Sequence, residues 1–130
     1  MSGLAKSIGV SATSIEHEGR TYTFRELDIE GMAKHSTFLE ERGYRAIERQ
    51  QYLPDAVRER MAVNLTAAIA AGDYEPGGRT YVASMVTVVG MAHVLWLGSV
   101  ADGDSVTLEE CERVVRAKFE AVAAAELREM

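Results

Sequence analysis

The chain has 130 residues, 47% of them hydrophobic, which suits one domain with one buried core. Its formal net charge of −6, with acidic side chains interleaved among Arg42, Arg45, Arg49, Arg58 and Arg60, excludes a nucleic-acid binder that works by neutralising phosphates. The single cysteine, Cys111, excludes an intrachain disulfide and a cysteine-built zinc site, and fits a reducing compartment.

Residues 1–12 are small and mixed in polarity, without the continuous apolar run of a secretory signal, so they are expected to form a flexible arm. Residues 13–130 are read as a single helical domain that opens with a β-hairpin over 13–25. Glu18-Gly19 is a two-residue turn in which glycine can take positive φ. The resulting register pairs Ile15 with Tyr22 and Thr13 with Phe24. It places Ile15, Tyr22 and Phe24 on one face and Ser14, Glu16, Thr21 and Thr23 on the other, so one side packs and one side is wet. A hairpin alone is marginal in water, so it must lie on the helices or pair with another copy.

Asp28 suits the N-cap of a helix to about Arg42, with Ile29, Met32, Ala33, Ser36 and Leu39 on one side. Gly43 is expected to interrupt it, and a second short helical stretch should end by Gln51, ahead of Pro54. Pro54 and Asp55 suit the first turn of the next helix, in which Val57, Met61, Leu65 and Ile69 recur every four positions and Gly72 marks the stop. Asp73-Tyr74-Glu75-Pro76-Gly77-Gly78 is a loop. Its Gly77-Gly78 lacks the GxxxxGK(S/T) spacing and the following Lys that a phosphate-binding loop requires.

From Thr80 to Ala101 the chain carries no Asp, Glu, Lys or Arg. Ser84, Thr87, His93 and the glycines at 90 and 98 interrupt its hydropathy, and no Lys/Arg cluster flanks it, which argues against a membrane span. The segment is expected to be the central apolar helix of a small helical bundle, so the fold class is mainly α with one N-terminal β-hairpin. The turn Ala101–Ser105 lacks the remaining ligands of a calcium loop. Thr107-Leu108-Glu109-Glu110 then has the form of a capping box, with Glu110 reaching back to the Thr107 backbone. In the last helix Leu108, Cys111, Val115, Phe119 and Val122 trace the buried stripe. Cys111 therefore reads as a small buried hydrophobe.

No nucleophile–base pair, metal-ligand spacing or cofactor loop is visible, so no catalytic, cofactor-binding or metal site is assigned and no enzymatic activity is expected. His17, His35 and His93 have neither HxxxH nor HExxH spacing, and His93 reads as a core histidine that needs a hydrogen-bond partner. If any of the uncharged segment is shared with a partner protein, the row Tyr81, Met85, Val89, His93 and Trp96 is the candidate surface.

The hairpin IEHEGRTYTF, the helix after RELDIEGM, the apolar helix ending VLWLGSV and the final VTLEECERVV resemble small tail-assembly proteins of long-tailed bacteriophages, nearest in role to the tail assembly chaperone. The likeness is one of layout over roughly residues 13 to 125 and carries no functional residue with it. It implies a mainly helical protein of the host cytoplasm that binds the tape-measure protein, shields its apolar surface and leaves as the tail tube polymerises. A homo-oligomer is compatible with this role; nucleic acid, membrane and cofactor are not expected. The alternatives are a neck, connector or other small virion component, which would remain with the particle, and an acidic inhibitor of a host protein that presents Glu109, Glu110, Glu112, Glu120, Glu126 and Glu129.

Overall fold

The structure, a computed structural model, describes residues 12–99 and 106–129. The expected arm lies outside these residues apart from Ala12, as does the turn at 101–105. The described elements are mainly helical with one antiparallel hairpin: β1 (Ala12–His17), β2 (Arg20–Arg25), α1 (Ile29–Glu48), α2 (Asp55–Ala70), α3 (Arg79–Ser84), α4 (Val88–Leu97) and α5 (Leu108–Glu129). The chain, read from its sequence as one domain over residues 13–130, divides into two compact units. One joins the hairpin to everything from Thr87 onward, and the other is Met32–Val86.

In the hairpin unit the expected register is present, with Thr13 opposite Phe24 and Ile15 opposite Tyr22. Glu18 and Gly19 both have positive φ, 50° and 78°, the combination that matches the twist of two strands joined by two residues. Tyr22 and Phe24 are buried, and their rings lie parallel with centroids 6.3 Å apart. With Ala92 of α4 and Cys111, Val114 and Val115 of α5 they form the core, against which Ile15, Met91, Leu95 and Phe119 pack. Beyond β2 the chain after α4 returns to the sheet. The Arg25 N–H donates to the Gly98 carbonyl at 2.7 Å, and Phe24 bridges to Ser99.

Thr107 caps α5, accepting the Glu110 N–H at 3.1 Å. The other half of the expected capping box does not form as read. One oxygen of the Glu110 carboxylate instead accepts from Arg20 at 2.7 Å and from the Tyr22 hydroxyl at 3.3 Å, while the other lies 3.5 Å from the Thr107 hydroxyl. A charge-assisted bond to a guanidinium outcompetes a neutral backbone donor for the same carboxylate. The result ties the hairpin to the first turn of α5.

In the Met32–Val86 unit, α1 runs unbroken through Gly43, correcting the expected interruption there and the separate short helix to Gln51. The glycine gives close approach instead: a Cβ at this position would lie 2.9 Å from Leu65 Cδ2 of α2. At the next residue of each helix, the Tyr44 hydroxyl meets Thr66 Oγ1 at 2.6 Å. Asp28 caps α1 as read, accepting the Gly31 N–H at 2.7 Å. After α2, Gly72 at φ +89° brings the Gly72 N–H to Ile69 O and the Asp73 N–H to Ala68 O, the pair of bonds that defines a Schellman stop.

The expected single helix over Thr80–Ala101 is instead α3 and α4, separated by Met85–Thr87. Thr87 is extended (φ −104°, ψ 152°) and its side chain accepts the Gly90 N–H at 3.0 Å, so it caps a new helix. Val86 to Val89 are four consecutive β-branched residues, which weaken helix propagation where the hydroxyl offers the backbone an alternative. Lack of charge marked the segment as apolar but said nothing about its continuity.

Candidate protein-binding surface and a buried histidine

Residues 32–86 bury four side chains among the described residues: His35, Leu39, Tyr81 and Ser84. Two of the four are polar, and they meet each other. His35 Nε2 lies 2.9 Å from Ser84 Oγ, and Ser84 Oγ lies 2.6 Å from the Tyr81 carbonyl, to which it must donate because a carbonyl cannot. The serine proton is therefore committed, and the imidazole N–H donates to Ser84. A nucleophile–base pair needs the opposite polarity, with serine donating to histidine. The pair acts as a clamp between α1 and α3, reinforced by a T-shaped contact between the His35 and Tyr81 rings, with centroids 5.1 Å apart. Nothing in the sequence pointed to this contact, because its partners are separated by 49 positions.

Burial pushes the His35 pKa below its ordinary value. The unfolded chain, in which the imidazole titrates near 6.5, then binds more protons than the folded one. Stability contributed by neutral His35 is complete above about pH 6.5, falls as pH drops through the unfolded value, and levels off once pH lies below the folded one. Thermal melts followed by far-UV circular dichroism should fall between about pH 7.5 and pH 5 by more in the wild type than in His35→Leu. Equal pH dependence in the two proteins would show that His35 is not buried in its neutral form.

The same unit leaves much of its apolar surface uncovered. None of the sixteen residues of α2 is buried. Val57, Val63, Val82 and Val86 are 40%, 66%, 56% and 75% exposed, and Tyr52, in the α1–α2 turn, is 82% exposed. Isolated exposed hydrophobes are ordinary; a helix without one buried residue, in a unit whose core is half polar, is not.

The five residues proposed from sequence are not brought together on one helix. Tyr81 is buried beneath His35 and Met85 is half-buried in the turn after α3. Val89 is half-buried and His93 buried in α4, in the other unit, where the His93 and Trp96 rings lie 5.7 Å apart. Trp96 alone of the five is exposed, at 39%, and its indole N–H donates to the Val106 carbonyl at 3.1 Å. The exposed valines at 82 and 86 lie outside the row read from the sequence. Their spacing of four on a face distinct from Tyr81 and Ser84 was the available signal.

No family model, curated protein or solved structure matches the chain. The remaining chemistry is modest. Burial, with the Glu110 carboxylate nearby, pushes the Cys111 thiol up to about 11, which keeps it protonated and unreactive at neutral pH. Among the described residues no group of three His, Cys, Asp or Glu is placed to hold a metal ion, and no helix is long and apolar enough to cross a membrane.

Proposed function

We propose that this chain is a non-enzymatic phage tail assembly protein, a chaperone that covers apolar stripes of the tape-measure protein until the tail tube polymerises around it. The observation that carries the reading is the imbalance of the Met32–Val86 unit, which exposes valines on α2 and α3 over a core of four buried residues. Valine suits such a surface because its stiff side chain loses little rotamer freedom on burial. An apolar stripe on a client helix could cover these side chains, and the net charge of −6 would hold the complex in solution. The polarity of the His35–Ser84 pair is in keeping with a binding role rather than a hydrolytic one.

The test is co-expression of the tagged chain with a tape-measure protein from the same genome. Stable co-purification is expected, and Val63→Asp or Val86→Asp should reduce capture by about tenfold, the cost of placing a charge in an apolar contact, with helical circular dichroism unchanged. Val122→Asp, in the other unit, serves as the control and should leave capture intact. Failure to capture the tape-measure protein, together with retention of the chain in purified particles, would replace the chaperone with the structural virion component.

A further inference from the structure

The hairpin has one closed edge and one open edge. The outer edge of β2 is closed by the chain after α4, through the Arg25 N–H to Gly98 O bond and the Phe24–Ser99 bridge. On the outer edge of β1, Thr13, Ser14 and Glu16 are exposed, and among the described residues its only strand partner is β2. Which backbone groups face outward follows from Arg25. Its N–H is used on Gly98, so Ala12 and Arg25 form the pair that exchanges no hydrogen bonds. Alternation along an antiparallel ladder then gives Ser14–Thr23 and Glu16–Thr21 the same character. The backbone N–H and C=O groups of positions 12, 14 and 16 therefore point away from β2.

Protein edges are commonly protected by lysine, proline or a bulge. The strand ATSIEH has none of these, and its register runs without a bulge over all six pairs. We infer that β1 pairs antiparallel with β1 of a second copy about a twofold axis at Ser14, making a continuous four-stranded sheet across the dimer.

The strand favours its own copy over a foreign one because it is self-complementary in this register alone. Ser14 faces Ser14 of the partner copy, and positions 12 and 16 face each other twice, so every outward backbone group finds a partner. Shifting the centre by one residue leaves part of the edge unpaired, and centring on Glu16 sets two carboxylates opposite one another. In the Ser14-centred register, Glu16 lies in the same cross-strand row as position 12 and then Arg25 of the other copy, on the exposed face of the sheet. Opposite charges thus share a row in both halves. Ile15 falls beside Thr13 of the partner copy on the face that carries the core, so the buried side of the sheet remains continuous.

Sedimentation equilibrium of the full chain over about a hundredfold range of concentration is the first test, and a reversible dimer is expected. Ser14→Pro removes the two backbone hydrogen bonds at the axis and, within the hairpin, no backbone bond but only the exposed 3.2 Å contact between the Ser14 and Thr23 hydroxyls, so it should give a monomer with unchanged circular dichroism. Ser14→Lys and Ser14→Glu should each raise the dissociation constant by about fivefold or more, and an equimolar mixture of the two should restore association through a heterodimer. Ser14→Cys should oxidise to a covalent dimer faster than Thr13→Cys or Glu16→Cys, since paired α-carbons at the axis would lie about 5.5 Å apart, within disulfide reach. A wild-type monomer at all concentrations, a dimer that survives Ser14→Pro, or a lysine–glutamate mixture no better than its components would each overturn the inference. None of these measurements involves a client, so they stand or fall apart from the chaperone reading.

Discussion

Phe24→Ala is expected to undock the hairpin and cost about 3–5 kcal/mol, the range for emptying a buried phenylalanine site. Phe24 is 3% exposed, stacks on Tyr22 and sits in the core formed with Ala92, Cys111, Val114 and Val115. A two-stranded hairpin has little stability of its own, so the buried face of β2 and the Arg20–Glu110 ion pair are its main attachments to the helices. The ion pair, with Arg20 39% and Glu110 18% exposed, is too solvated to hold the hairpin alone. The only tryptophan of the chain is Trp96, so fluorescence-detected urea unfolding reports on this unit. A midpoint shift equivalent to less than about 1 kcal/mol would mean that the hairpin is not packed as described.

Gly98→Ala should be the next most damaging change, at about 3 kcal/mol, combining overpacking with the loss of a backbone hydrogen bond. A Cβ on Gly98 would lie 2.2 Å from the Arg25 carbonyl oxygen, and a main-chain atom held in a strand cannot swing aside as a side chain can. Relief requires the chain after α4 to leave β2, which breaks the 2.7 Å bond from Arg25 and the bridge between Phe24 and Ser99. Gly19→Ala is the informative comparison. Gly19 has φ +78° but open space around its Cβ position, so alanine there should cost only the left-handed backbone penalty of about 1 kcal/mol. Equal losses at the two positions would show that backbone conformation, and not close approach, makes Gly98 necessary.

The parts of this fold that were legible in the sequence are those decided by neighbours within a few positions. The hairpin register followed from Glu18-Gly19 and the alternation of Ile15, Tyr22 and Phe24, because a two-residue turn leaves one pairing. Asp28, Gly72 and Thr107 were recognisable as caps or stops because each acts on backbone groups of its own turn. Thr87 was missed although its signal was just as local. The absence of charge over 80–101 suits a single helix, while the run of β-branched residues and the hydroxyl three positions before Gly90 favour a break. The candidate surface fared worse for the same reason, since Tyr81 and Met85 lie before that break and Val89, His93 and Trp96 after it.

Sequence by itself determined the helical class, the hairpin with its register and buried face, and most helix ends. These depend on dihedral preference, turn geometry and periodicity, which act along the chain. Tertiary structure alone decided that Glu110 would leave its own helix end for Arg20, that Gly43 would admit Leu65 and not end a helix, and that His35 would be clamped by Ser84. It also decided that the valines of α2 and α3 would remain in solvent. Each of these outcomes is a competition between a local partner and a distant one, and the distant partner comes within reach only once the chain has folded.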